Sequence, residues 1–107
     1  MTDSKHLAIE IKRHLNHSLN NIVSDVVIFG SRIKGQATEY SDYDVLIVLN
    51  TNYDRKVQKS INDLCYDLDL KYNIFLDTQI ISEYELNNTI RGKHPIFKHA
   101  LKEGLHA

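Results

Sequence analysis

The fold is decided by residues 26–49, VVIFGSRIKGQATEYSDYDVLIVL, where two apolar runs enclose a polar segment that contains glycine. The first run is β-branched and aromatic at every position, which predicts a strand over residues 25–29 that is covered on both faces. The second run predicts another strand over residues 42–49. Between them we expect a short helix over residues 31–36 and a loop over residues 37–41.

Two carboxylates, Asp42 and Asp44, lie at the start of the second predicted strand. Residues i and i+2 of a strand share one face and stand about 7 Å apart, so both side chains can point into the same space. Converging acid oxygens suit Mg²⁺, which proteins usually hold with one or two carboxylates together with substrate phosphates. Taken alone, Asp42 could instead be a turn residue after Ser41. Asp44 is harder to explain in that way, because a carboxylate inside an apolar strand is costly unless a charged partner compensates it.

The polar break after the first strand, Gly30-Ser31-Arg32, has the properties of a phosphate site. A glycine lets the backbone approach a phosphate closely, the serine offers a hydroxyl, and the start of the following helix offers amide N–H groups. The Arg32 guanidinium would match phosphate oxygens as a fork, the alternative being an ordinary surface arginine. The stretch therefore predicts a phosphate site that faces a metal site.

The pattern Gly30-Ser31, ten further residues, then Asp42-x-Asp44 resembles the signature of the DNA polymerase β-type nucleotidyltransferase superfamily. The short chain is similar to the minimal nucleotidyltransferases (MNT) of that superfamily, which are often the antitoxins of HEPN–MNT toxin–antitoxin pairs. The resemblance covers nearly the whole chain. It implies an α/β (α+β) fold, the nucleotidyltransferase palm, in which helices cover a small mixed sheet.

The resemblance also implies roles for individual residues. Asp42 and Asp44 would hold two Mg²⁺ ions, and a third carboxylate from a later strand would complete the metal site. Asp77 lies among apolar residues of a predicted third strand and is the candidate. It would be the base for the attacking hydroxyl or a further metal ligand, the alternative being an edge-strand or turn aspartate. The residues implied to bind the nucleotide triphosphate are Gly30, Ser31 and Arg32.

By the same resemblance, the reaction is transfer of AMP from ATP to an acceptor, and the expected acceptor is a tyrosine of a partner HEPN toxin. Two alternatives stay open. The chain could be an antitoxin that neutralises its partner by binding alone, or a nucleotidyltransferase that modifies a small molecule such as an antibiotic.

Composition limits the other possibilities. The 107 residues favour one domain, residues 1–107. The formal net charge of −1 argues against nonspecific nucleic-acid binding, which requires a basic surface. The single cysteine excludes an internal disulfide, and no apolar stretch approaches the roughly 20 residues of a membrane span. Without a signal-peptide core at the N-terminus, we expect a soluble cytoplasmic protein.

The flanking segments read as helices and one strand. Apolar residues at helical spacing predict helices over residues 2–20 and 53–70, and an apolar run predicts a strand over residues 73–81. Ser82 and Glu85 form a capping-box pattern for a helix that we expect to extend to about Arg91. The last predicted helix begins at His94 or Pro95, ends at Lys102 and is followed by Gly104.

Four features of these segments receive a structural interpretation. Cys65 falls on an apolar helix stripe and is interpreted as a small core side chain. The acids of the same helix, Asp63, Asp67 and Asp69, are interpreted as solvated charges. His14 and His17 have a spacing that could ligate a metal but more simply lie on a helix surface. The basic C-terminal quarter is interpreted as a charged helix face, a nucleotide or partner contact being the alternative.

Overall fold

A computed structural model describes residues 4–30 and 42–107 of the protein. The predicted helix over residues 31–36 and the loop over residues 37–41 therefore lie outside the described residues. In chain order the elements are α1 (Ser4–Ser18), β1 (Val23–Phe29), β2 (Tyr43–Leu49), α2 (Arg55–Tyr72), β3 (Leu76–Ser82), α3 (Glu83–Asn88), a 3₁₀ turn (Arg91–Lys93), α4 (Pro95–Glu103) and β4 (Leu105–His106).

Within the described residues, the strands form one mixed sheet in the order β3-β2-β1-β4. β1 pairs antiparallel with both β2 and β4, whereas β2 and β3 are parallel. The parallel pair needs a crossover connection, and α2 provides it. The α+β class with a small mixed sheet covered by helices is thus confirmed.

The two central strands are buried on both faces, as the apolar runs predicted. One face packs against α1 and α2, and the other packs against α4. The first face contributes Val26, Ile28, Tyr43, Val45, Ile47 and Leu49 to a core that includes Leu7, Ile11, Leu15, Ile61, Cys65 and Leu68. The second face contributes Val27, Phe29, Leu46, Val48 and Ile81, which pack with Phe97 and Ala100. Because side chains alternate along a strand, Asp44 belongs to the α4 face.

The helix ends follow from local side chains. The Asp54 side chain accepts a hydrogen bond from the Val57 amide at the start of α2, and Asn73 ends that helix with φ +53°. The capping box of α3 is confirmed, since Ser82 accepts from the Glu85 amide and Glu85 accepts from the Ser82 amide. These caps satisfy amide groups that a helix start leaves without an intrahelical partner.

The structure differs from the sequence-based expectation at two places near the C-terminus. α3 ends at Asn88 and does not extend to Arg91, because the 3₁₀ turn Arg91–Lys93 follows it. β4 was not predicted, since its two residues form a strand only by pairing with β1, where Val27 lies opposite His106. Across residues 4–30 and 42–107, no helix combines the length and apolar character needed to cross a membrane. The single-domain organisation stays a prediction.

Candidate active site

The candidate site lies where three neighbouring strands meet at one end of the sheet. The register places Asp44 opposite Phe29 of β1 on one side and opposite Asp77 of β3 on the other. Directly paired residues project to the same face of a sheet, so Asp44 and Asp77 lie side by side on the face that α4 covers further along. The register therefore brings together two predicted carboxylates that are far apart in the sequence.

Asp42 lies just before β2, and its position is fixed by the backbone around it. The Tyr43 amide donates a hydrogen bond of 2.9 Å to the Phe75 carbonyl, which ties the start of β2 to the segment that enters β3. Asp42 itself is exposed, Asp44 is half-buried and Asp77 is exposed. The three predicted acids thus form one group, with Asp44 the most enclosed of them.

Gly30 supports this group from the β1 side. Its backbone has φ +85°, in the left-handed region that favours glycine. A Cβ atom at this position would lie 2.1 Å from Oδ2 of Asp44, far inside van der Waals contact. Any side chain at position 30 would therefore displace the Asp44 carboxylate, and only glycine lets the β1 backbone pass so close to it.

The electrostatics of the group are unfavourable without a cation. Burial raises the pKa of Asp44 above its ordinary value, and the negative charges of Asp77 and then Asp42 raise it further. Like charges that share a site repel each other and favour protonation of one of them. A bound cation would relieve this repulsion, so the site favours a positively charged ligand.

A fourth acid, Asp69, lies closer to this group than the sequence indicated. It is half-buried and accepts a hydrogen bond of 3.0 Å from the Leu76 amide at the start of β3. Burial raises the pKa of Asp69, the Leu76 hydrogen bond opposes that effect, and the charge of Asp42 adds to it. The prediction that Asp69 is a solvated charge was wrong, because it caps the strand that carries Asp77. Asp63, in contrast, is exposed and pairs with Lys59.

The remaining predicted nucleotide-binding residues, Ser31 and Arg32, lie outside the described residues. Their positions in the sequence directly follow Gly30, whose backbone abuts Asp44. Their proposed phosphate contacts, like the catalytic and metal-binding roles of Asp42, Asp44 and Asp77, stay predictions.

The donor set is compatible with Mg²⁺ even though it is not a closed cage. Among residues 4–30 and 42–107, no three His, Cys, Asp or Glu side chains are placed so that they could hold a metal by themselves. Mg²⁺ does not need such a cage, since it is commonly held by one or two carboxylates plus substrate phosphates. The crowding of carboxylates around Asp44 is the feature that fits a divalent cation.

Three other residues considered from the sequence, Cys65, His14 and Arg91, lie on α2, α1 and the 3₁₀ turn. Cys65 is buried in the core, and burial raises the pKa of its thiol to about 12, which makes it a poor nucleophile. His14 Nε2 lies 3.9 Å from a carboxylate oxygen of Asp67. Arg91 donates hydrogen bonds to Tyr53 and Glu85 and is thus part of a structural network.

One contact between a histidine and an aspartate was missed because the two residues are far apart in the sequence. Nδ1 of His106 lies 2.6 Å from Oδ2 of Asp25, and Nε2 of His106 lies 2.8 Å from the Leu101 carbonyl. The hydrogen bond with Asp25 is the main reason that the pKa of His106 is raised. The sequence gives no signal for a role of His106, and only the pairing of β4 with β1 reveals this contact.

Comparisons with known proteins agree with the geometry. Residues 9–101 match the family model described as "Nucleotidyltransferase domain". A relative from Methanocaldococcus jannaschii, named "Putative protein adenylyltransferase", is 33% identical over 82 residues, which cover 77% of this chain and 75% of the relative. A crystal structure of a "putative nucleotidyltransferase" from Sulfolobus solfataricus is similar in fold, with TM-score 0.50, 24% identity, and 81% of this chain and 74% of that chain covered. The chain therefore belongs to the nucleotidyltransferase family, with the carboxylates of β2 and β3 at its candidate active site.

Proposed function

We propose that this nucleotidyltransferase transfers AMP from ATP to a tyrosine hydroxyl of a partner protein, a HEPN-type toxin, and thereby acts as its antitoxin. The family match supports nucleotidyl transfer. The name of the Methanocaldococcus jannaschii relative, which refers to protein adenylylation, supports AMP as the group transferred and a protein as the acceptor. The toxin identity of the acceptor rests on the resemblance of the chain to minimal nucleotidyltransferases.

One observation carries the proposal. Gly30 directly follows β1, Asp44 and Asp77 lie on the adjacent strands β2 and β3 at the same end of the sheet, and the glycine leaves no room for a side chain beside Asp44. A structural carboxylate would be neutralised by its surroundings, whereas the described residues whose charges act on Asp44 are two further acids, Asp77 and Asp42. Such an arrangement is expected where a cation and a phosphate must be bound together.

The reaction requires positioning more than covalent chemistry from the protein. In the proposed step, the tyrosine oxygen of the acceptor attacks the α-phosphorus of ATP. The bond between that phosphorus and the oxygen that bridges to the β-phosphate breaks, and pyrophosphate leaves. The proton of the attacking hydroxyl passes to Asp77, which has the exposed position that a base at the acceptor side requires.

The carboxylates of Asp42, Asp44 and Asp77 would hold the divalent cations, two Mg²⁺ in the proposed scheme. Bound there, the cations would neutralise charge on the phosphate oxygens during transfer. Gly30, Ser31 and Arg32 would hold the β- and γ-phosphates on the β1 side of Asp44. The protein residues would in this way fix the α-phosphorus between the phosphate site and the base.

The test is intact mass spectrometry of a HEPN-type partner protein that is co-produced either with this chain or with its Asp42→Ala/Asp44→Ala form. We expect the partner to gain whole AMP units only when the acid pair is intact. A partner that gains AMP equally with the double variant would overturn the proposed role of these carboxylates.

A second readout separates modification from binding. If the partner stays unmodified and still co-purifies with both forms of the chain, neutralisation by binding alone replaces the proposed transfer. Transfer of AMP to a small molecule such as an aminoglycoside, with none to the partner, would instead show that the acceptor class is wrong.

A further inference from the structure

A cavity of about 600 Å³ lies beside the candidate site, between β3 and the segment that runs from α3 into α4. Its lining combines apolar side chains with a few polar and cationic ones. The lining residues are Gln79, Ile90, Arg91, Lys93, His94, Ile96 and Phe97. A concave, largely apolar surface with a small number of polar groups is typical of a binding site.

The cavity lies on the same face of the sheet as the carboxylates. Gln79 follows Asp77 by two positions along β3, so the two side chains point to one face and stand about 7 Å apart. In the sheet order, β3 lies on one side of β2 and β1 lies on the other. The cavity is therefore on the Asp77 side of Asp44, away from Gly30 and the proposed phosphate site.

The cavity wall is held in place by Arg91. Its guanidinium donates hydrogen bonds of 2.7 Å to the Ile80 carbonyl, 3.0 Å to Glu85 and 3.1 Å to the Tyr53 hydroxyl. It also stacks over the Phe97 ring, with the guanidinium carbon 5.1 Å from the ring centroid. These contacts hold the 3₁₀ turn against β3, at the edge of the described sheet.

The two cationic side chains of the cavity wall, Arg91 and Lys93, differ in whether they form an ion pair within the described residues. Arg91 is paired with Glu85, so its charge is compensated within the protein. Lys93 is exposed and forms no ion pair with any other residue of the described ranges. Beside it, Ile90 is 89% exposed, an unusual position for an isoleucine. The cavity therefore offers one available positive charge next to an uncovered apolar surface.

We infer that this cavity binds the segment of the acceptor protein that carries the tyrosine to be modified. The inference rests on the proposed function and specifies its acceptor site. In-line transfer requires the acceptor to approach from the side opposite the leaving pyrophosphate. With the phosphates on the β1 side of Asp44, as proposed above, that is the β3 side, where the cavity lies. An apolar side chain of the segment would contact Ile90 and Phe97, and a carboxylate would pair with Lys93. The tyrosine would lie along the face of β3 that carries Gln79 and Asp77, with its hydroxyl toward Asp77.

The experiment measures AMP transfer to the HEPN-type partner protein at saturating ATP and compares variants of the cavity. We expect Lys93→Glu and Ile90→Glu each to raise the KM for the partner about tenfold, the effect of losing one well-placed interface contact. The affinity for ATP should not change, because neither residue lies on the phosphate side. Lys93→Arg should retain a KM near that of the wild type.

Lys102→Glu is the matched control, because it makes the same charge change at an exposed position of α4 that does not line the cavity. Unchanged transfer by the two cavity variants, or an equal loss in Lys102→Glu, would overturn the cavity as the acceptor site and leave the proposed function intact. Partner binding is measured in parallel on the Asp44→Asn form, without turnover. If the wild type transfers no AMP but the cavity variants lose partner binding, the proposed transfer is refuted and the cavity is supported as the docking site. If the partner neither binds nor is modified, the proposed transfer and the docking site are both refuted.

Discussion

Two aspartates on adjacent strands, Asp25 of β1 and Asp44 of β2, are both half-buried and have opposite surroundings. One oxygen of Asp25 accepts a hydrogen bond of 2.9 Å from the Val26 amide, and the other lies 2.6 Å from Nδ1 of His106. Among residues 4–30 and 42–107, the charged neighbours of Asp44 are Asp42 and Asp77, and the Gly30 backbone lies against its side chain.

The difference separates a structural acid from a functional one. The Asp25 carboxylate is compensated inside the protein and fastens β4 to β1. The negative charge of Asp44 is repelled by the charges of its neighbours. This repulsion lowers the free energy of unfolding unless a bound ligand compensates it. Clustered acids whose charges oppose one another, as those of the described residues do here, mark sites that are completed by a cation or substrate.

The largest expected effect concerns activity. Asp44→Asn should lower AMP transfer by about 10²-fold or more, the size of effect seen when a group that stabilises transition-state charge is removed. Asp25→Asn should leave transfer within about twofold of the wild type, because Asp25 takes no part in the site. Steady-state assays of both purified variants measure the AMP transfer rate. Comparable losses of activity in the two variants would contradict the distinction between a functional Asp44 and a structural Asp25.

The second effect concerns one glycine near each aspartate, Gly30 beside Asp44 and Gly104 just before β4. Gly30→Ala should lower the free energy of unfolding by about 1–2 kcal/mol, because alanine is strained at φ +85°, and it should also abolish transfer by displacing Asp44. Gly104→Ala would place its Cβ 2.3 Å from Val27 Cγ1 and should destabilise the β4 region without a direct effect on transfer.

Chemical denaturation with activity assays under folding conditions distinguishes these two outcomes. If Gly30→Ala kept full activity once folded, the close contact between Gly30 and Asp44 would have no part in catalysis.

The third effect concerns metal binding. Mg²⁺ at a hundred times its dissociation constant should stabilise the wild type by about 2.7 kcal/mol, because it binds the folded chain alone. Asp44→Asn should respond little, and Asp25→Asn should respond like the wild type. Thermal denaturation across a Mg²⁺ titration gives the three curves, and an equal response in Asp44→Asn would place the metal elsewhere.

The smallest effect concerns pH. The pKa of His106 is raised in the folded state, mainly by its hydrogen bond with Asp25. The protonated form is therefore favoured on folding, so its stabilisation is fully present below the unfolded pKa of about 6.5 and is lost as the pH rises through the higher folded value.

The wild type should accordingly exceed His106→Gln in stability at about pH 5.5, and the two should converge in alkaline solution. The pair is partly exposed, so the difference should stay below about 1 kcal/mol. Urea denaturation of both forms across pH is the measurement, and a difference that grows with pH would contradict the assigned ion pair.

Much of the fold was accessible from the sequence because its signals are local. The helical spacing of Leu7, Ile11 and Leu15 predicts the buried stripe of α1, and all three are fully buried. The capping box of Ser82 and Glu85 and the apolar run over residues 26–29 of β1 are equally local signals, and they were confirmed.

The parts that were missed depend on contacts between distant segments. β4 has two residues and exists only through its pairing with β1. The enclosed position of Asp69 depends on the return of the chain into β3, where the Leu76 amide binds it. The Arg91 contacts that form the cavity likewise join residues of separate elements. Spacing in the sequence predicts none of these contacts.

The central claim is that the clustered acids around Asp44 form the metal-dependent nucleotide site of this nucleotidyltransferase. The most direct test is calorimetric titration of ATP into the wild type, Asp44→Asn and Asp25→Asn, each with Mg²⁺ and with a chelator. We expect ATP binding only with Mg²⁺, its loss in Asp44→Asn and its retention in Asp25→Asn. Equal ATP binding by all three proteins, with or without Mg²⁺, would contradict the claim.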